Sequence, residues 1–135
     1  KGIRAYYAKY NGSNANTADL QVIMEKASSQ NLGGFFKQWV YTAGTPHLKY
    51  GWLYDAKKQV VNITVVQQQE SPFEFPLQFI VDNKIHTFDI KNKLTHFEVS
   101  IKSKPTPVII DPNVNLLAQF EKVNYVELML QNKAD

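Results

Sequence analysis

Three histidines, twelve acidic residues and no cysteine are the raw material for chemistry in this chain of 135 residues. The lack of cysteine excludes disulfide frameworks, thiolate metal sites and cysteine nucleophiles. His47, His86 and His96 are scattered, and none has a second histidine four residues away. A metal site would need His86 and His96 brought together across strands; a surface or half-buried strand histidine is the commoner arrangement. Asp82, Asp89 and Asp111 stand at turns or strand ends, where aspartate bonds to backbone. An acid–base pair needs two carboxyl groups in contrasting environments facing one cleft, which spacing alone does not reveal. Ser28, Ser71 and Ser100 lack a nucleophile-elbow context. Gly33-Gly34 follows no apolar strand, so it is no phosphate-binding loop. Asn11-Gly12-Ser13 and Asn62-Ile63-Thr64 match glycosylation sequons, with Asn62 inside a strand. Tyr50, Trp52 and Tyr54 are spaced to line a carbohydrate-binding face, although core or interface packing is the commoner use. The expectation is therefore no catalytic, cofactor-binding or metal-ligating residue in this stretch.

The remaining composition describes ordinary globular material. Apolar residues make up 44%, charged residues 20% and aromatics 13%, enough bulk for a substantial core. No run approaches a membrane span, and KGIRAYYAKY has no apolar stretch of the kind a signal peptide carries. The formal charge of +3 is mildly basic. Lys57-Lys58, Lys91/Lys93 and Lys102/Lys104 are spread over hairpin ends, not gathered into the stripe that nucleic-acid binding requires.

The elements that must carry these residues change character once. Ile3, Tyr6, Tyr7 and Tyr10 recur at helical spacing, and Asn11-Gly12-Ser13-Asn14 ends that helix. Thr17 is the expected N-cap of a second helix with the stripe Leu20, Ile23, Met24 and Ala27, closed by Ser28-Ser29-Gln30. Asn31 is expected to cap a third, weakened in its first turn by Gly33 and Gly34 at about 1 kcal/mol each. Phe35, Phe36, Trp39 and Val40 then share one side of it. Gly44 stands as a left-handed C-cap and Pro46 stops further helix. Beyond Pro46 about seven short strands follow at sandwich spacing: Leu48–Tyr54, Val60–Gln67, Phe73–Phe79, Lys84–Ile90, Leu94–Ile101, Val108–Ile110, and a last within Val114–Val123. Short turns predict antiparallel pairing, and Pro76 predicts an edge or a bulge for its strand. Tyr125–Gln131 returns to helical spacing.

Three stretches in this order resemble aminopeptidase N-like zinc metallopeptidases, the gluzincin aminopeptidases. Thr17-Ala18-Asp19-Leu20 is similar to a helix opening near the end of their catalytic domain. Phe35-Phe36-x-x-Trp39-x-x-x-x-Gly44-x-Pro46-x-Leu48 resembles the helix that leads into their β-sandwich, and Asp111-Pro112-Asn113 resembles a turn near the sandwich's end. The resemblance implies the last helices of a thermolysin-like catalytic domain over residues 1 to about 44. It then implies an antiparallel Ig-like sandwich over 45–122 and the start of a following helical segment over 123–135. The fold class expected is mainly β, preceded by two to three α-helices and ended by a short C-terminal helix. The family's zinc ligands, an H-E-x-x-H helix with a further glutamate, are absent here. The chain, starting at Lys1 in mid-helix, reads as a fragment truncated at both ends.

What the resemblance implies is a non-catalytic scaffold piece of a zinc enzyme that removes N-terminal residues from peptides. Its partners would be the rest of the catalytic domain, a following helical domain and, through the parent, the peptide substrate. Nucleic acid and a membrane span are not expected. The alternative is a stand-alone sandwich that binds carbohydrate or protein.

Overall fold

The computed structural model describes residues 1–132. It divides into two compact units, one of Lys1–Gly44 and one from Thr45 onwards.

The first unit is helical. Helix α1 spans Gly2–Tyr10 and is followed by Gly12 at φ 77°. Helix α2 spans Thr17–Ser28, and its N-cap is Asn16 instead of the expected Thr17. Asn16 Oδ1 accepts from the Asp19 N–H, and Asp19 Oδ2 accepts from the Asn16 N–H, both at 3.0 Å. With Thr17 as cap the residue three positions on would be Leu20, which cannot reciprocate; Asn16 brings Asp19 into that place and completes a capping box. Ser29 closes α2 at φ 57°. The Tyr10 hydroxyl donates to Asp19 Oδ1 at 2.9 Å, joining α1 to the cap of α2.

The third helix is not continuous. Helix α3 covers only Gly33–Phe36, and Lys37–Tyr41 forms a π-helical turn. Asn31 Oδ1 still accepts from the Gly33 N–H at 2.9 Å, although Leu32 holds the cap position. The Thr42 hydroxyl donates to the Lys37 carbonyl at 2.8 Å and closes the wide turn. Gly44 has the expected positive φ, 95°, but three residues past the turn's end. The extra residue in the π-turn rotates the side chains out of simple helical register. Of the four residues expected to share a side, Phe36 is buried, Trp39 is half-buried, and Phe35 and Val40 are exposed. Neither α1 nor α2 holds a buried residue.

The second unit is a β-sandwich. Its strands are β1 (His47–Asp55), β2 (Val60–Gln67), β3 (Phe75–Val81), β4 (Lys84–Ile90), β5 (Leu94–Ser100), β6 (Ile109–Ile110) and β7 (Gln119–Lys122). The first sheet runs β5-β2-β1-β7 and the second β4-β3-β6. Local turn chemistry sets the hairpins. Asp55 Oδ1 accepts from the Lys57 and Lys58 N–H groups at 2.9 and 3.0 Å. Asp82 and Asn83 both take positive φ, the geometry of a two-residue hairpin turn.

Two features depart from expectation. Strand β7 pairs parallel to β1, because it returns through a long irregular stretch and escapes the short-turn argument. Strand β3 is central, not an edge, and Pro76 sits in it without a bulge. The reason is that β6 pairs only with Phe79 and Ile80, so at Pro76 that side of β3 is free and no ladder donor is missed.

Leu48, Val61, Ile63 and Val65 of the first sheet face Phe75, Leu77, Phe79 and Val81 of the second, all buried. Phe88 stacks on Phe97 with ring centroids 4.1 Å apart, and Phe79 lies within 6.4 Å of both. The opposite face of the first sheet carries helix α4 (Tyr125–Gln131), which buries Leu128 and sets Met129 against Thr64. Asn124 caps α4, its Oδ1 accepting from the Val126 and Glu127 N–H groups. Gly51 of β1 makes that docking possible: a methyl there would meet Tyr125 Cα at 2.9 Å and the Val123 carbonyl oxygen at 3.0 Å. Phe79, fully shielded at the meeting of both sheets, should lose about 3–5 kcal/mol of stability on truncation to alanine. Urea unfolding followed by tryptophan fluorescence measures this, and an unchanged midpoint would remove Phe79 from the core.

Candidate functional site

The residues with chemical potential do not converge. His86 lies on β4 and stacks on Phe88 at 6.3 Å, while His96 lies on β5 in the other sheet, on the face that carries α4. His96 Nδ1 is 3.0 Å from Thr64 Oγ1, which also donates to Met129 Sδ at 3.4 Å. The cross-strand pairing of His86 with His96 that a metal site would need does not occur. His47 begins β1, with Nε2 3.7 Å from Glu121 Oε2 on β7 and Lys49 Nζ at 3.9 Å from the same oxygen. This is a half-exposed ion pair across the parallel ladder, of small energetic worth. Among the described residues no three His, Cys, Asp or Glu side chains gather closely enough to hold a metal ion.

The carboxylates and hydroxyls serve the backbone. Asp111, buried at φ 41°, accepts from the Asn115 and Leu116 N–H groups, one on each oxygen at 3.0 Å. Its own N–H donates to the Gln78 carbonyl at 2.8 Å, so Asp111 pins the irregular stretch after β6 to β3. Asp82 shapes a turn, Asp89 is exposed opposite Pro76, and the Ser28 hydroxyl donates back to the Met24 carbonyl. Asn11 is exposed after α1, whereas Asn62 is laddered between Leu53 and Glu98. Tyr50, Trp52 and Tyr54 alternate on the core-facing side of β1 and are half-buried, not displayed as a platform for sugar. Burial pushes the Tyr50 phenol up.

One polar centre is built with care, and spacing did not single it out. Gln67 is fully buried at the end of β2. Its Nε2 donates to the Phe73 carbonyl at 2.9 Å and the Asn92 carbonyl at 3.1 Å, while its Oε1 accepts from the Phe73 N–H at 2.9 Å. Gln69 donates to the same oxygen and accepts from the His47 N–H at 3.1 Å. The cluster joins β2, the approach to β3, the β4–β5 turn and the start of β1. A signal for it was present: Gln67 occupies the core-facing register of Val61, Ile63 and Val65. The groups are neutral amides already satisfied by one another, which is an arrangement for holding and not for reacting.

Carboxylate electrostatics matter in the helical unit. The Asn16 N–H and the Tyr10 hydroxyl hold Asp19 below its usual range, and the Gln21 side chain with the Leu32 N–H does the same for Glu25. A depressed folded-state pKa contributes stability above the unfolded value, and that contribution is lost as pH falls through the folded value. Helicity of residues 1–44 should therefore decline below about pH 4 ahead of the sandwich, and Asp19→Asn should blunt the decline. Circular dichroism against near-ultraviolet signal reads both. Gln67→Ala withdraws a partner from the buried N–H and carbonyl of Phe73 and from the part-buried Asn92 carbonyl, and should cost at least about 2 kcal/mol. Gln67→Glu should cost more at neutral pH, because a carboxylate would face two carbonyl oxygens, and should recover part of the loss in acid. Thermal melts at two pH values test the pair, and equal behaviour of Gln67→Glu at both would contradict the geometry.

Comparison with known proteins gives a partial likeness. No family model matches the chain. It is 32% identical over 63 residues to a puromycin-sensitive aminopeptidase of Caenorhabditis elegans, covering 47% of this chain and 7% of that protein. It is 34% identical over 67 residues to aminopeptidase N of Haemophilus influenzae, covering 50% of this chain and 8% of that protein. Among solved structures, Legionella pneumophila aminopeptidase A in complex with aspartic acid aligns with a TM-score of 0.68 at 10% identity, over 89% of this chain and 15% of that one. The chain thus spans less than a tenth of the curated relatives it matches. Over about half its length it is aminopeptidase-related in sequence, and its fold is shared with a segment of an aminopeptidase structure.

Proposed function

We propose that this chain is a non-catalytic part of a zinc-dependent aminopeptidase that hydrolyses N-terminal residues from peptides. In this reading residues 1–44 are the closing helices of a thermolysin-like catalytic domain and 45–122 a sandwich that spaces and supports its neighbours. Residues 123–135 lead toward a following helical segment. The observation that carries the proposal is the sequence similarity to two aminopeptidases over half of the chain. The fold likeness to aminopeptidase A supports it.

Zinc in a hydrolase is held by three protein ligands and keeps one position for water. The described residues do not fit that demand, since their histidines stand on separate strands or faces and no three His, Cys, Asp or Glu side chains gather among them. The ion would be held elsewhere in the parent, and no step of the reaction runs through this chain.

The helical unit adds physical support. Ile3, Tyr7, Val22, Phe35 and Tyr41 are more than half exposed, and α1 and α2 bury nothing completely. An amphipathic helix is held chiefly by packing its apolar face, and here the stripe Leu20, Ile23, Met24 and Ala27 is only half-buried. The rest of a catalytic domain is the proposed occupant. Incubated with zinc and an aminoacyl amide, the chain should release no amino acid; turnover would overturn the assignment of catalysis to another segment. Hydrogen exchange should find the α1 and α2 amides at least about a hundredfold less protected than those of β2. Equal protection would mean the helices need no further partner. The coding sequence upstream of Lys1 is expected to contain H-E-x-x-H.

A further inference from the structure

Strand β5 is the outer strand of the first sheet, and its free edge is unusually unguarded. It pairs with β2 without interruption from Leu94 to Ser100 and contains no proline, lysine or bulge, the devices by which edge strands avoid pairing with other chains. The hydrogen bonds flanking this ladder set its phase. The Ile101 N–H donates to the Gln59 carbonyl and the Gln67 N–H to the Lys93 carbonyl, so odd-numbered residues turn their backbone groups toward β2. Leu94, His96, Glu98 and Ser100 then direct theirs to the free edge. All four are exposed.

We propose that β5 pairs antiparallel with β5 of a second copy, about a two-fold axis at Phe97. This register sets His96 opposite Glu98 of the partner subunit and, by symmetry, repeats the pairing with roles exchanged. Both pairs join residues whose backbone groups face the edge, so each exchanges two backbone hydrogen bonds. Leu94 and Ser100 pair likewise at the ends. His96 Nδ1 engages Thr64 Oγ1; with the Thr64 hydroxyl turned to Nδ1 in the dimer, the imidazole carries its proton on Nε2 and donates it to the carboxylate across the axis. Phe97, half-buried and stacked on Phe88, meets its own copy at a non-hydrogen-bonded position, where side chains approach most closely.

The side chains select this register over its neighbours. A two-fold axis at His96 opposes histidine to histidine, and one at Glu98 opposes carboxylate to carboxylate, which is destabilising across a ladder. A shift by one residue mismatches the backbone groups altogether. The other long edge strand, β4, lacks such self-complementarity: centred on Thr87 it opposes Lys84 to Ile90 and Ile85 to Asp89. The product is a closed, isologous dimer in which the first sheet continues through the axis. Its interface is one strand wide, below the usual area of a stable complex, so association is weak and concentration-dependent.

Sedimentation equilibrium of the chain from micromolar to millimolar concentration should show reversible monomer–dimer exchange. Glu98→Lys should weaken the dimer by about tenfold or more, and the double change His96→Glu with Glu98→Lys should restore it. Glu98→Pro removes an N–H that faces only the edge, so it should abolish association while the thermal transition persists. A wild-type chain that stays monomeric at millimolar concentration, a dimer that survives Glu98→Pro, or a folded double variant that does not regain association would each overturn the proposal.

Discussion

The sandwich depends on the buried carboxamide of Gln67. Two sheets attract each other through apolar area, but that attraction has no direction and leaves their mutual register loose. Gln67 supplies the direction. Its two donated bonds and its accepted ones reach segments that belong to both sheets and to the turn between β4 and β5. A neutral amide suits the task, because it donates and accepts at one point without the desolvation penalty of a charge. The aromatic cluster of Phe79, Phe88 and Phe97 then fills a space whose walls are already aligned.

Much of this architecture was legible in the chain. The patterning of Val60–Gln67 and Lys84–Ile90 predicts the bounds the strands have, since both are bracketed by turn residues whose own chemistry ends a strand. The departures arise where the deciding partner is distant in sequence. Pro76 looked like an edge residue because nothing local announces that β6 is only two residues long. The four residues of β7 are too few to carry a pattern, and their parallel partner lies across most of the unit. The cap of α2 shifted by one residue because reciprocity with Asp19, not the preference of Thr17 alone, decides where a helix begins.

The candidate site was less legible than the fold. His86 and His96 stand on consecutive strands, which in one sheet would have made them neighbours. Here the turn at Lys91–Lys93 carries the chain from one sheet to the other, and the two imidazoles part. Gln67 is illegible for the opposite reason: glutamine is not a residue type associated with chemistry, and its importance comes from the register it occupies.

The parallel pairing of β7 with β1 has a kinetic meaning. Closing it brings residues from near the two ends of the unit together, whereas the hairpins close over a few residues each. The entropy of loop closure implies that β7 docks after the hairpins have formed. Helix α4 follows β7 directly and rests on the backbone at Gly51, so the two act as one late-closing clasp. Its release would uncover Thr64 while leaving the aromatic core between the sheets intact. The unit therefore has a graded stability, with a detachable C-terminal layer over a core that the hairpins hold by themselves.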